Sequence, residues 1–231
     1  MKSFLLKYLG VAIGLPLLLL LLGGYTRNAV YKELISILTI LAFCLFIGQF
    51  FLTRFFRKAL FDVKMSWLVK VHEWLGYGAL GVIFLHPLLV VLPKFIESGL
   101  SPWEALTTIF FEVDNMGVVF GIFSWLLMFG LGAWAYFRKK IKLSYRSWRM
   151  FHGIMSAVFI ATAALHVILL GRHVTAWFAA SVVYAATIGV LHLLAEYVSE
   201  AQKDISVQSR VNGHAAPTRT KALKVKEPID I

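Results

Sequence analysis

The chain has 231 residues, 59% of them hydrophobic, and a formal net charge of +11. Its mean hydropathy is +0.77, well above that of a water-soluble domain, which is near half apolar. The excess of bases invites a nucleic-acid partner, but those bases sit in short loops between apolar runs; that pattern excludes nucleic acid and belongs to a chain in lipid.

Six stretches lack Asp, Glu, Lys and Arg and are long enough to span: Tyr8–Thr26, Leu34–Thr53, Trp74–Pro93, Met116–Phe137, Phe151–Gly171 and Val174–Ala195. Each has roughly the twenty residues that a hydrocarbon core of about 30 Å requires. The expected fold is all-α: a six-helix transmembrane bundle over residues 1–198, followed by a flexible tail over 199–231. Lys2 and Lys7 before the first run resemble a secretory leader, but the region after Gly24 has no A-x-A cleavage site, so the run is expected to be retained as a span. Cys44 is the only cysteine and lies inside the second span. There is no CxxCH, so covalent haem attachment is excluded, and Cys44 is read as packing.

Between the second and third spans, Arg54–Lys70 interleaves bases with Phe55, Phe56, Leu60, Phe61, Met65 and Trp67. This mixture predicts a segment lying at the membrane interface. After the third span, Ser101-Pro102-Trp103-Glu104 predicts a capping box and a short helix to about Phe111. Leu106, Ile109 and Phe110 form its apolar side, which either rests on lipid or covers whatever lies beneath. The tail holds Gly213 and Pro217, and it has no GxGxxG.

Nineteen of the 23 Lys and Arg fall at the N-terminus, in the loops after the second and fourth spans, and in the tail; Arg27, Lys32, Lys94 and Arg172 fall on the alternate side. The positive-inside rule then puts both termini in the cytoplasm of a multi-pass protein of the inner or plasma membrane.

The histidines carry the chemistry. His72 and His86 are fourteen residues apart, as are His152 and His166. Fourteen residues is close to four helical turns, so each pair shares one helix face, with its members roughly 21 Å apart along the axis. An ionisable residue in a span is costly and points to function. Lone histidines serve as polar glue between helices, but two pairs at one repeat are better explained by two irons held at two depths. Both spans run from inside to outside, so His72 pairs with His152 near the inner face, and His86 with His166 near the outer face. Two imidazoles per iron fill both axial positions, which suits two b-type haems passing electrons and leaves no site for a bound substrate. Zinc would need its ligands clustered.

Gly76 and Gly153 are small enough to admit a flat macrocycle. Phe159 lies midway between His152 and His166 on the same stripe and is a candidate bridge, or an ordinary packing aromatic. Lys70 and Arg149 could pair with inner haem carboxylates and Arg172 with outer ones, although positive-inside topology alone would put bases near the inner face. His192 is expected to make a core hydrogen bond or a proton contact, and His173 to snorkel at the outer edge with Arg172.

Val69-Lys-Val-His-Glu-Trp-Leu-Gly-Tyr77 running to Leu85-His86, and Ser144-Tyr-Arg-Ser-Trp-Arg-Met-Phe-His152 running to His166, resemble the ferric reductase-like transmembrane domain family, which includes the membrane halves of NADPH oxidases and ferric-chelate reductases. The resemblance covers about residues 5–198. It implies that His72, His152, His86 and His166 are haem ligands and that the chain is an oxidoreductase or the haem subunit of one. Full enzymes of that family add a flavin and nicotinamide domain. No flavin or NAD(P) site is read in this chain, so a separate cytoplasmic flavoprotein or quinol donor is expected, with an external electron acceptor such as ferric iron or oxygen. The haem subunit of a periplasmic methionine sulfoxide reductase is another branch without a flavin domain, and its histidine pattern fits less well. Two alternatives stand beside this reading: a quinol-linked cytochrome b-like subunit, and a non-redox transporter whose histidines relay protons.

Overall fold

A computed structural model describes residues 2–23, 30–52, 63–111 and 114–214. The described residues are helical and contain no strand. The first span is built from α1 (Lys2–Leu9), a π-helical turn (Gly10–Gly14) and α2 (Leu15–Leu22). Then come α3 (Val30–Gln49), α4 (Met65–Ser98), α5 (Pro102–Phe110), α6 (Met116–Tyr136), α7 (Tyr145–Leu170) and α8 (Ala176–His214). Six helices are long and apolar enough to cross a membrane: Ser3–Leu22, Val30–Gln49, Met65–Glu97, Met116–Lys139, Tyr145–Leu170 and Ala176–Arg210.

These helices outrun the uncharged stretches because a charge ends an apolar run without ending a helix. Lys70 and Glu73 lie within α4, and Arg146 and Arg149 within α7. Of the expected interfacial segment, residues 54–62 lie outside the described residues, while Met65–Lys70 form the first turns of α4. Residues 195–231 make up a unit separate from 1–194. Helix continues in it as far as His214, where a flexible tail was expected. Glu196, Ala201, Gln202 and Lys203 are good helix formers, and no Gly or Pro interrupts the run before Gly213.

In the unit 1–194, α7 packs most closely on α6, and α4 on α3. The core is formed by Leu20, Phe43, Ile47, Met128, Ile160 and Phe178, all but fully buried. Most other large apolar side chains point outward, as in Trp74, Trp177 and Tyr184. In lipid this is the stable arrangement, since helices there associate through van der Waals contact and polar bonds rather than by hiding apolar surface from water. Gly99 ends α4 with φ 64°, a left-handed turn that glycine adopts without a Cβ penalty. The capping box at α5 is formed as expected: Ser101 Oγ accepts from the Glu104 N–H at 3.2 Å, and the Ser101 N–H donates to Glu104 Oε2 at 2.9 Å.

Candidate functional site

His72 and His86 project from α4, and His152 and His166 from α7. The two helices do not pack closely side by side, because α4 leans on α3 and α6 while α7 leans on α6 and α3. His86 and His166 meet across the gap between them. The His86 and His166 ring centroids are 6.1 Å apart with planes at 77°. Two imidazoles on one ion, each with a metal–nitrogen bond of roughly 2.0 Å, would hold their centroids about 6 Å apart. His72 and His152 lie toward the other end of the same two helices.

The tautomer of His166 follows from its partner. Nδ1 lies 2.8 Å from the Gly117 carbonyl oxygen. A carbonyl only accepts, so Nδ1–H donates, and in the neutral ring Nε2 keeps its lone pair. This is the arrangement by which proteins orient a histidine that ligates a metal. His86 Nδ1 and His152 Nδ1 are buried and meet no hydrogen-bond partner among the described residues.

A cavity of about 520 Å³ opens beside His86 and His166, which line it with Phe46, Phe159, Gly121 and Trp125. Ligand pockets run from roughly 300 to 1,000 Å³ with mostly apolar walls and a few converging polar groups, so the residues present fit a large flat group held between two imidazoles. Gly121 is essential to that shape: a Cβ there would stand 2.5 Å from His166 Nδ1 and 2.7 Å from its Cε1. Pro87, next to His86, has no N–H and frees a carbonyl one turn back. Beside it, Trp125 Nε1–H of α6 donates to the Phe84 carbonyl at 3.3 Å. Ile109 and Phe110 of α5 also line the cavity, so this short helix covers it.

Phe159 is buried and meets Phe46 edge-on at 5.1 Å. Arg172 is exposed and reaches the cavity lining. Arg149 is half-buried with its Nε fully enclosed, and Lys70 is exposed. A Cβ at Gly76 would meet nothing within 4 Å. His192 is half-buried on α8.

His173 does not snorkel as expected. It is half-buried, its Nε2–H donates to Glu33 Oε2 at 2.5 Å, and its backbone is left-handed at φ 62°. A left-handed non-glycine residue persists only where its surroundings hold it. Here the pair ties the α7–α8 turn, and with it Arg172, to the start of α3. Sequence reasoning also missed Lys32 and Glu97, which line the cavity. Lys32 Nζ–H donates to Glu97 Oε2, and Tyr31 O–H donates to Glu97 Oε1 at 2.7 Å. The only sequence signal for them was charge at the edge of a span.

An uncharacterized protein of Archaeoglobus fulgidus is 35% identical over 175 residues, covering 75% of this chain and 94% of that relative. No solved structure matches. Residues 38–163 match the ferric reductase like transmembrane component. That stretch takes in His72, His86 and His152 and stops three residues short of His166. The facing histidines on two membrane-crossing helices and the match over more than half its length agree: the chain belongs to the ferric reductase-like transmembrane family.

Proposed function

We propose that this chain carries electrons across the membrane through two b-type haems, His72 with His152 holding the inner and His86 with His166 the outer. The observation that carries this reading is the outer pair: two rings 6.1 Å apart at an apolar cavity, one of them fixed by a backbone carbonyl so that Nε2 is left as a ligand. Membership of the ferric reductase-like family supports transmembrane electron transfer as the activity.

Bound haem would supply a one-electron couple at each depth. The protein's part is to hold and insulate it. His86 and His166 would hold the haem between two imidazoles, and a group held that way would supply outer-sphere electron transfer rather than bind substrate. The apolar wall excludes water. Arg172 and Lys32 at the outer end offer cations to haem carboxylates, and Arg149 does so at the inner end. Phe159 stands in the cavity wall on the helix that carries both His152 and His166, where it shortens the gap between the two depths. With the basic loops in the cytoplasm, as the positive-inside rule expects, electrons would pass from a cytoplasmic flavoprotein or quinol donor to an acceptor outside, such as ferric iron or oxygen.

The test is haem content. The purified protein should show a b-type reduced-minus-oxidised spectrum with two haems per chain. His86→Ala or His166→Ala should remove the outer haem, and His72→Ala or His152→Ala the inner one. A folded protein that takes up no haem when supplied with it would refute the reading. If each single substitution left two haems, the pairing would be wrong. Reduction by quinol, compared with reduction by a flavoprotein with NAD(P)H, identifies the donor class.

A further inference from the structure

At the inner end of α7 the aromatic residues form a column. Tyr145, Trp148 and His152 are spaced three and then four residues apart, so they share one face of the helix. Tyr145 stacks on Trp148 with centroids 6.2 Å apart and planes at 27°. Trp148 stacks on His152 at 5.2 Å and 11°, nearly parallel. The Arg138 guanidinium lies 5.1 Å from the Trp148 ring centroid and 5.9 Å from that of Tyr145. The column starts at the surface, where Tyr145 is 58% exposed, and ends on the half-buried His152, whose Nδ1 is enclosed. Ser144 fixes its outer end by capping the helix, its Oγ accepting from the Ser147 N–H at 3.1 Å.

The column rises out of a strongly basic surface. Residues 137–150 contain Arg138, Lys139, Lys140, Lys142, Arg146 and Arg149 and no acid. Lys139, Lys140 and Lys142 are exposed. A loop that only anchored the chain to anionic lipid would need the bases alone. It would not need rings packed face to face from solvent to His152, nor a guanidinium held over them.

We infer that this loop and column are the electron entry port, a docking surface for a separate redox protein with an acidic face, whose electron passes along Tyr145 and Trp148 to the iron on His152. The inference rests on the di-haem reading. The step moves one electron: the reduced donor is oxidised by one unit, ferric iron becomes ferrous, and no bond to the chain forms or breaks. Packed aromatic rings give the electron a shorter path through matter than lipid or a water-filled gap. The lysines bring the donor in quickly, because complementary charge raises encounter rates and loses that effect as salt shortens the screening length.

The probe is flavodoxin, an acidic one-electron protein donor, used with the full chain in nanodiscs after its haem has been quantified. Binding of oxidised flavodoxin should weaken with rising salt, and reduction of haem by photoreduced flavodoxin should fall about tenfold over the range in which the Debye length shrinks from roughly 10 Å to 3 Å. The triple variant Lys139→Glu, Lys140→Glu, Lys142→Glu should lose both binding and salt dependence while dithionite still reduces its haem normally. Trp148→Leu should retain two haems but accept electrons from bound flavodoxin about tenfold more slowly, and Trp148→Phe, which keeps a ring on His152, should recover most of the rate. Wild-type rates in the triple variant would overturn the inference. So would a triple variant that loses only its preference for anionic-lipid nanodiscs, which would make the patch a lipid anchor. A wild-type chain that takes up no haem defeats the di-haem reading instead, and salt-independent binding of oxidised flavodoxin would still defeat the docking surface.

Discussion

At the scale of residues, the outer site depends on an atom that is missing. Gly121 of α6 lies where any side chain would strike the His166 ring, at 2.5 Å from Nδ1. Nδ1 is the nitrogen that holds the ring to Gly117. Gly121→Ala should therefore push the imidazole off its carbonyl, and overpacking of this kind costs about 1–3 kcal/mol. Haem titration should show outer-site affinity at least about tenfold weaker, with the inner haem retained. Gly130→Ala on the same helix, where an added Cβ meets nothing within 4 Å, should leave both haems in place; equal losses from the two substitutions would mean the close approach at Gly121 is irrelevant. The histidines that meet here were legible in the sequence because a four-turn spacing on two apolar runs is a one-dimensional signal. Gly121, the Gly117 carbonyl and the Glu33–His173 pair were not. Each acts through a meeting of distant segments, and the left-handed backbone of His173 leaves no mark on its neighbours in sequence.

At the scale of elements, the capping box of α5 can be tested alone. Glu104 receives the Ser101 hydroxyl at 2.7 Å and the Ser101 N–H at 2.9 Å. These bonds, led by the hydroxyl, hold its carboxyl below the usual carboxylate range. The sign follows from the depressed value: the carboxylate's contribution is fully present above the ordinary Glu pKa and is lost as pH falls through the lowered one. Ser101→Ala should reduce amide protection over the first turn of α5 roughly fivefold at neutral pH, the equivalent of a typical N-cap. The difference between wild type and variant should shrink in acid. A difference that stayed constant down to acid pH would mean Glu104 adds nothing to the cap. Because Ile109 and Phe110 line the cavity, the same substitution should also let a water-soluble reductant reach the outer haem faster. This helix was legible down to its cap, since Ser-Pro-x-Glu is a local code. The extra turns of α4 and α7 were less so, because an uncharged run marks where lipid begins rather than where a helix starts.

At the scale of the whole molecule, the distribution of bases makes a claim about orientation. Six crossings would leave both ends of the chain on one side, and by the alternation of loops nineteen of the 23 bases would belong to that side. A Lys or Arg at the centre of a span costs about 2.5–3.5 kcal/mol on insertion scales, so a chain with this asymmetry retains the basic loops where it is made. Impermeant maleimide can read the outcome, and Cys44, buried in α3, should give little background. Leu100→Cys, Leu143→Cys and Ile205→Cys each replace an exposed residue. Leu100→Cys, between α4 and α5, should label on intact cells. Leu143→Cys, in the basic loop before α7, and Ile205→Cys, in the C-terminal unit, should label only after the membrane is permeabilised. The reverse pattern would invert the chain, make His72 and His152 the outer couple, and turn the basic loop toward the acceptor instead of the donor. Labelling of Leu100→Cys and Leu143→Cys from the same side would remove α6 as a crossing, and with it the shared direction of α4 and α7 on which the pairing of the histidines depends.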